Sequence, residues 1–287
     1  MTFTVPALPA AFTDAVLSWG EPRLRDLPWR RTRDPWAVLV SEVMLQQTQV
    51  ARVIPAYLGF LDDFPTPDAC AAATLGDVLR RWQGLGFPRR ARNLHAAARH
   101  VVAVGSFPDT LDGLLALPGV GPYTARAVLA FAFERDVAVV DTNIARVYAR
   151  VVGQRLTGGQ AQAVADAAAP SGEAWSWNQS IMELGALLCR PTSPVCDACP
   201  AASSCAWRGR GDDPAPGSAG VSTRQARFEG SDRQARGRLI RAAGRAPIPS
   251  AELGAVAGRT LADAHRLAID LAGEGLLTRD GDCWRLP

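Results

Sequence analysis

The sequence predicts an all-α protein that ends in a small winged-helix-like module. Apolar residues recur at helical spacing from residue 11 to 188, in segments such as "WAVLVSEVMLQQTQVARVI", "RRARNLHAAARHVVAV", "YTARAVLAFAF" and "NIARVYARVV", with glycine and proline between them. Alternating strand patterns are nearly absent from the same stretch. Residues 231–287 then give three helical stretches, "DRQARGRLIRAA", "PSAELGAVAG" and "TLADAHRLAIDLAGEGLL", followed by "TRDGDCWRL", whose Asp-Gly pair signals a hairpin turn.

With 287 residues and 48% hydrophobic content, the chain is expected to form two compact units. A helical body over residues 1–208 is expected, then a linker over 209–230 rich in Gly, Pro, Ser and charge, then the module over 231–287. No secretory pattern opens the sequence and no apolar run has the length of a membrane span, so a soluble, cytoplasmic protein is expected. All 31 basic residues are arginine, and the net charge is +3. Without lysine, no side chain can form a Schiff base. Arginines cluster at Arg23, Arg25, Arg30, Arg31 and Arg33, at Arg89, Arg90, Arg92 and Arg99, and again between Arg208 and Arg245. Solvated helix faces and phosphate contacts fit these clusters equally well.

Along the body, the first chemistry-bearing residue is Glu42, the one charge in "WAVLVSEVML". A carboxyl buried in such a helix tends to stay protonated, which suits a general acid; a partner arginine or a solvent-facing position is the competing reading. Gln46, Gln47 and Gln49 follow it, and Phe87 stands between a glycine turn and an arginine cluster in "GLGFPRRARNLH". Amides read base edges and an aromatic ring wedges into a base stack, although surface glutamines and a core phenylalanine fit the residues equally. In "ALPGVGPYTARAV", Leu117 and Pro118 end a short helix, Gly119 and Gly121 permit a tight reversal, and Pro122 suits the first position of the next helix. Such a loop is either an anion site at a helix N-terminus or a plain helix–helix turn. Asp141 or Asn143 caps the helix after "VAVV", and a carboxylate there ionises easily. Cys189, Cys196, Cys199 and Cys205 form C-x6-C-x2-C-x5-C in a proline-rich segment, a metal-binding pattern open to zinc or an iron–sulfur cluster. Cys70, Cys283 and the three histidines show no ligand grouping.

"LPGVGPYTA", "VVDTN" and the four-cysteine spacing, in that order, make residues 8–208 resemble the helix-hairpin-helix DNA glycosylases of the endonuclease III superfamily. "LPWRRTRDPWAVLVSEVMLQQTQV" is similar to the signature of the MutY-type adenine DNA glycosylases, which remove adenine mispaired with 8-oxoguanine or guanine. The resemblance implies a two-lobed fold with the active site between the lobes, a [4Fe-4S] cluster on loop 189–205, and double-stranded DNA carrying A:8-oxoguanine or A:G mismatches as the partner of a monomer. It implies that Glu42 protonates adenine at N7, that Asp141 stabilises the cationic sugar, and that Leu117, Gly119, Val120 and Gly121 bind the DNA backbone. Tyr123 stands where strand-cleaving relatives carry an amine nucleophile, implying base removal without efficient strand cleavage. Gln47 and Phe87 match positions that enter the DNA stack near the oxidised guanine, with Phe87 in place of the usual tyrosine. The Nudix-related domain of well-known MutY-type enzymes has no counterpart in the short helical tail. A thymine-mismatch or other monofunctional glycosylase of the superfamily and a noncatalytic cluster-containing DNA-binding regulator are the alternatives.

Overall fold

A computed structural model of the protein describes residues 3–218 and 227–287, which divide between two units. The first unit draws on residues 1–35, 109–111 and 121–224, the second on residues 36–108, 112–120 and 225–287. Part of the expected linker, residues 219–226, lies outside the described residues. Residues before it are packed: Ala215 and Ser218 are buried, and the Leu156 amide donates to Ser218 Oγ.

Helix α1 (Ala10–Gly20) opens the first unit, inserting Phe12 and Val16 into its core. The chain then builds α2 (Pro35–Leu45), α3 (Val50–Asp63), α4 (Pro67–Ala72), α5 (Leu75–Arg81), α6 (Pro88–Val104) and α7 (Leu111–Leu115). Phe60 centres an aromatic cluster in the second unit, meeting Trp36, Phe64 and Trp82. Thr74 and Asp77 form a capping box that starts α5, and Pro88 occupies the first position of α6. The helical pattern expected to run unbroken from Trp36 to Ile54 is interrupted between α2 and α3, where Gln47 takes a φ of 55°.

In the first unit, α8 (Pro122–Phe131), α9 (Thr142–Val152), α10 (Gly158–Ala168) and α11 (Ala174–Glu183) complete the bundle. Ile144, Val147, Tyr148 and Val151 form the apolar stripe of α9 and pack with Trp177 and Ile181 of α11. Each large apolar side chain buried this way contributes about 1.5–3 kcal/mol. Asn178 of α11, 1% exposed, holds the extended segment before α9: it accepts from the Val139 amide and donates to the Val137 carbonyl. After α11 the chain continues as a π-helical turn, Leu184–Leu188, into Cys189.

The C-terminal module contains α12 (Asp232–Ala243), β1 (Ile248–Pro249), α13 (Leu253–Ala257), α14 (Leu261–Gly273), β2 (Thr278–Asp280) and β3 (Cys283–Arg285). Its three strands pair antiparallel in the order β1-β3-β2, with Gly281 at a φ of 58° in the expected hairpin turn. Leu239, Leu253, Leu267, Leu271, Leu276 and Trp284 fill its core. The module belongs to the second unit, where the Arg80 guanidinium donates to the Gly244 carbonyl and the Gly76 amide to that of Pro287.

Glu183 is 0% exposed and accepts from Arg25 and Arg30 at 2.9 and 2.7 Å. Arg30, itself nearly buried, also donates to Gln179. Glu183→Gln leaves the Arg30 charge uncompensated and is expected to cost about 3 kcal/mol. A lowered thermal midpoint with a retained helical spectrum checks this, and an unchanged midpoint contradicts it.

Candidate functional site

Helix α2 has buried side chains at every position from Trp36 to Met44, so Glu42, at 5% exposure, is enclosed by apolar neighbours along its own helix. One, two and four residues beyond Glu42, the carbonyls at the end of the helix meet a distant group. The Arg90 guanidinium donates from Nη1 to the carbonyls of Val43, Met44 and Gln46 at 2.8, 3.0 and 2.6 Å. Its Nη2 donates to Thr48 Oγ1 and to the carbonyls of Leu85 and Gly86 at 3.0, 3.1 and 3.2 Å. Burial lowers the Arg90 pKa to about 10, which still leaves it charged at neutral pH. Arg90 thus caps α2 and gathers the "GLGF" turn onto it. The arginine cluster containing Arg90 is therefore not uniform, because Arg89 beside it keeps an exposed side chain.

The same clamp explains where the two sequence-predicted wedge residues go. Gln47 and Phe87 are both exposed and both left-handed, at φ 55° and 48°. They line a single groove of the second unit. A left-handed non-glycine residue costs about 1–2 kcal/mol, and such residues gather at functional sites.

In the hairpin, only one of the two glycines is required by the backbone. Gly119 has a φ of 80°, and an added Cβ would lie 2.6 Å from Asn93 Cβ. Gly121 is extended at φ −99°, a conformation open to any residue, and an added Cβ would meet nothing within 4 Å. The expectation that both glycines make the reversal is therefore corrected: Gly119 makes it, and Gly121 leaves open space at the start of α8. Leu117 and Val120 are buried, and Tyr123 stands half-buried in the first turn of α8.

Asp141 caps α9. Its Oδ1 accepts from the amides of Asn143 and Ile144 at 2.8 and 2.7 Å, and its Oδ2 from Asn143 Nδ2 at 2.9 Å. Burial pushes the carboxyl up from its ordinary value, while these hydrogen bonds and nearby Arg146 pull it down. The helix N-terminus is thus opposed by desolvation, which the expectation of easy ionisation left out.

One turn into α9, Arg146 donates to Asn143 Oδ1, to the Gly185 carbonyl in the π-helical turn and to the Cys189 carbonyl. A turn further, Arg150 donates to Cys189 Sγ at 3.3 Å and to the Arg190 carbonyl at 2.7 Å, and pairs with Asp213. Both guanidiniums are at most 3% exposed. Cys189, Cys196, Cys199 and Cys205 line one cavity with Val147, Leu184 and Arg150. Among the described residues, no three His, Cys, Asp or Glu side chains converge closely enough to hold a single metal ion. Four thiols lining one cavity, with the Arg150 guanidinium on Cys189 Sγ to favour thiolate, are a donor set that fits a thiolate-ligated metal centre. Burial pushes the Cys199 thiol up to about 11. Cys70 is buried, its thiol pushed up to about 12.

The early arginine cluster is engaged within the first unit: Arg25 and Arg30 with Glu183, Arg31 with Asp26, and Arg33 with Glu134. Arg30 is the buried member, whereas Arg25, Arg31 and Arg33 keep solvent-exposed side chains. Glu42, Gln47 and Phe87 lie in the second unit and Tyr123 and Asp141 in the first. Arg90, Arg146 and Asn178 are positioning residues that spacing did not reveal, since each bonds to backbone remote in sequence.

The fold is that of a helix-hairpin-helix base excision protein. Residues 40–163 match the HhH-GPD superfamily base excision DNA repair proteins. The chain is 41% identical over 278 residues to the adenine DNA glycosylase of Mycobacterium tuberculosis (strain ATCC 25618 / H37Rv), covering 93% of this chain and 90% of that protein. It is 44% identical over 222 residues to the Homo sapiens adenine DNA glycosylase, covering 70% of this chain and 40% of that one. Among solved structures, a thermostable thymine-DNA glycosylase matches with a TM-score of 0.65 and 28% identity, over 70% of this chain and 96% of that one. A trapped endonuclease III–DNA covalent intermediate matches with a TM-score of 0.61 and 25% identity, over 70% and 95%. The chain belongs to the adenine DNA glycosylase family, the MutY-type branch of the endonuclease III superfamily.

Gly119→Ala is expected to destabilise the protein by about 1–2 kcal/mol from its φ alone. Gly121→Ala is expected to leave the thermal midpoint unchanged yet weaken duplex binding several-fold, because its Cβ intrudes on the open face. Equal midpoints for the two variants would contradict the distinction.

Proposed function

We propose that the protein is a monofunctional DNA N-glycosylase that removes adenine paired with 8-oxoguanine or guanine in double-stranded DNA, acting in base excision repair. The observation that carries this reading is Glu42, a carboxyl at 5% exposure inside an apolar helix of a chain from this family. Burial disfavours the charged form of a carboxyl, and the protonated form is the one a general acid needs.

In this mechanism the target adenine leaves the stack, at a cost of a few kcal/mol. Gln47 and Phe87 offset that cost by occupying the stack around the opposite base, and the backbone at Leu117, Gly119, Val120 and Gly121 holds phosphate. Glu42 donates its proton to N7, so the bond from C1′ to N9 breaks with adenine leaving as a neutral base. Asp141 has the role of stabilising the cationic sugar through its carboxylate. Water then adds to C1′ and returns a proton to Glu42, yielding an abasic site. Tyr123 supplies no amine, so the reaction stops there.

Cys189, Cys196, Cys199 and Cys205 would hold a [4Fe-4S] cluster. When bound, the cluster supplies metal–thiolate bonds that fasten loop 189–205 to the core beside α9. Iron analysis with absorbance at about 400 nm checks this assignment, and zinc without iron would overturn it.

A duplex with adenine opposite 8-oxoguanine tests the function. Wild-type protein is expected to give abasic sites that break only on alkali treatment, with no borohydride-trapped covalent adduct. Glu42→Gln is expected to lower single-turnover excision by at least about 1,000-fold while still binding the duplex. An active Glu42→Gln variant removes Glu42 from its role, and no product from wild-type protein removes the function.

A further inference from the structure

The groove that holds Gln47 and Phe87 is also lined by the C-terminal module. One wall is the turn from Trp82 to Arg89, and the other is α12, which contributes Arg233, Arg236, Ile240 and Arg241. With Arg52 and Arg89, five guanidinium groups and no carboxylate are among the described residues that line it. Glu274 beside it bonds both Arg89 and Arg236, balancing one of those charges. Gly84 and Gly86 add bare backbone: at φ 94° and 75°, an added Cβ on either would meet nothing within 4 Å.

Helix-turn-helix modules usually place the second helix of the pair, here α14, in the DNA major groove. This α14 is built otherwise. Its outer face exposes Leu261 and Ile269, at 46% and 60%, together with Asp263 and Asp270. Its Arg266 pairs with Asp232 and Asp270. The cationic stripe lies instead on α12, where Arg233, Arg236 and Arg241 recur at helical spacing. Arg233 and Arg241 are separated by about 12 Å of helix rise, roughly three to four nucleotides along one strand. Guanidinium forks of this kind match phosphate oxygens in geometry and charge.

We propose that α12 and the "GLGF" turn together seat the phosphate backbone of the guanine-bearing strand, so that the winged-helix-like module grips DNA through its first helix and not through α14. The strand assignment rests on the glycosylase reading, in which Gln47 and Phe87 enter the stack beside the guanine. The groove's charge, its bare glycine backbone and its continuity with both residues define one surface.

The test uses the full-length protein and a duplex with adenine opposite 8-oxoguanine, measuring binding affinity across a salt series. The Arg233→Gln/Arg241→Gln double variant is expected to bind more weakly, with the slope of log affinity against log salt reduced by about 2. Arg266→Gln on α14 is expected to leave the slope unchanged. Methylphosphonate linkages flanking the oxidised guanine should abolish the difference between wild type and double variant, and the same linkages on the adenine strand should preserve it. Equal slopes for wild type and double variant, or loss of slope in Arg266→Gln alone, overturn the proposal. Sensitivity to the adenine-strand linkages overturns its strand assignment. Excision by wild-type protein is scored on the same duplex, so a missing product counts against the glycosylase reading, and equal slopes with normal product count against the groove.

Discussion

The guanidinium of Arg90 joins two segments that are far apart in sequence and makes each an answer to the other's exposed carbonyls. It bonds Val43, Met44 and Gln46 at the end of α2, and Leu85 and Gly86 in the turn before α6. A helix end has orphan acceptors that need partners. Hydrogen bonds from a charged donor contribute about 1.5–3 kcal/mol each, whereas two left-handed residues cost together about 2–4 kcal/mol. Several such bonds outweigh that strain, so Gln47 and Phe87 stay in conformations they would otherwise leave. Glu42 lies on the same helix, one residue before the first carbonyl that Arg90 bonds.

The first unit uses the same device on α9. Arg146 and Arg150, four residues apart, reach from one helix face into the π-helical turn and the cysteine loop. Asn143, bonded to both Asp141 and Arg146, connects the capping carboxylate to that network. The cysteine loop thus packs against the helix whose first turn presents Asp141, and buried arginine supplies the links in a chain without lysine. Arginine suits the task, because its planar fork satisfies several acceptors at once where an ammonium would reach fewer.

Much of this was legible from local signals. The pattern "DRQARGRLIRAA" corresponds to α12 because Ser231 caps its start and Gly244 follows its end. The cysteine spacing, the hairpin and the cap before α9 were equally readable, since each depends on residues a few positions apart. What escaped the sequence depends on long-range partners. No glycine or proline marks the break after α2; the group that terminates it lies more than forty residues away, as the Arg90 bonds show. Gly119 and Gly121 look alike in a motif, but only Asn93 packed against one of them separates their roles. Arg89 and Arg90 are neighbours in one cluster, and only the fold turns one into a clamp and leaves the other at the groove.

Arg90 holds both segments as one unit, and amide hydrogen exchange reads this directly. Arg90→Lys keeps the charge but loses the planar fork. Faster exchange is expected in residues 43–49 and 84–90 together, with protection in α9 and in the module core retained. Unchanged protection in either segment would show that the two are held independently and would contradict the account.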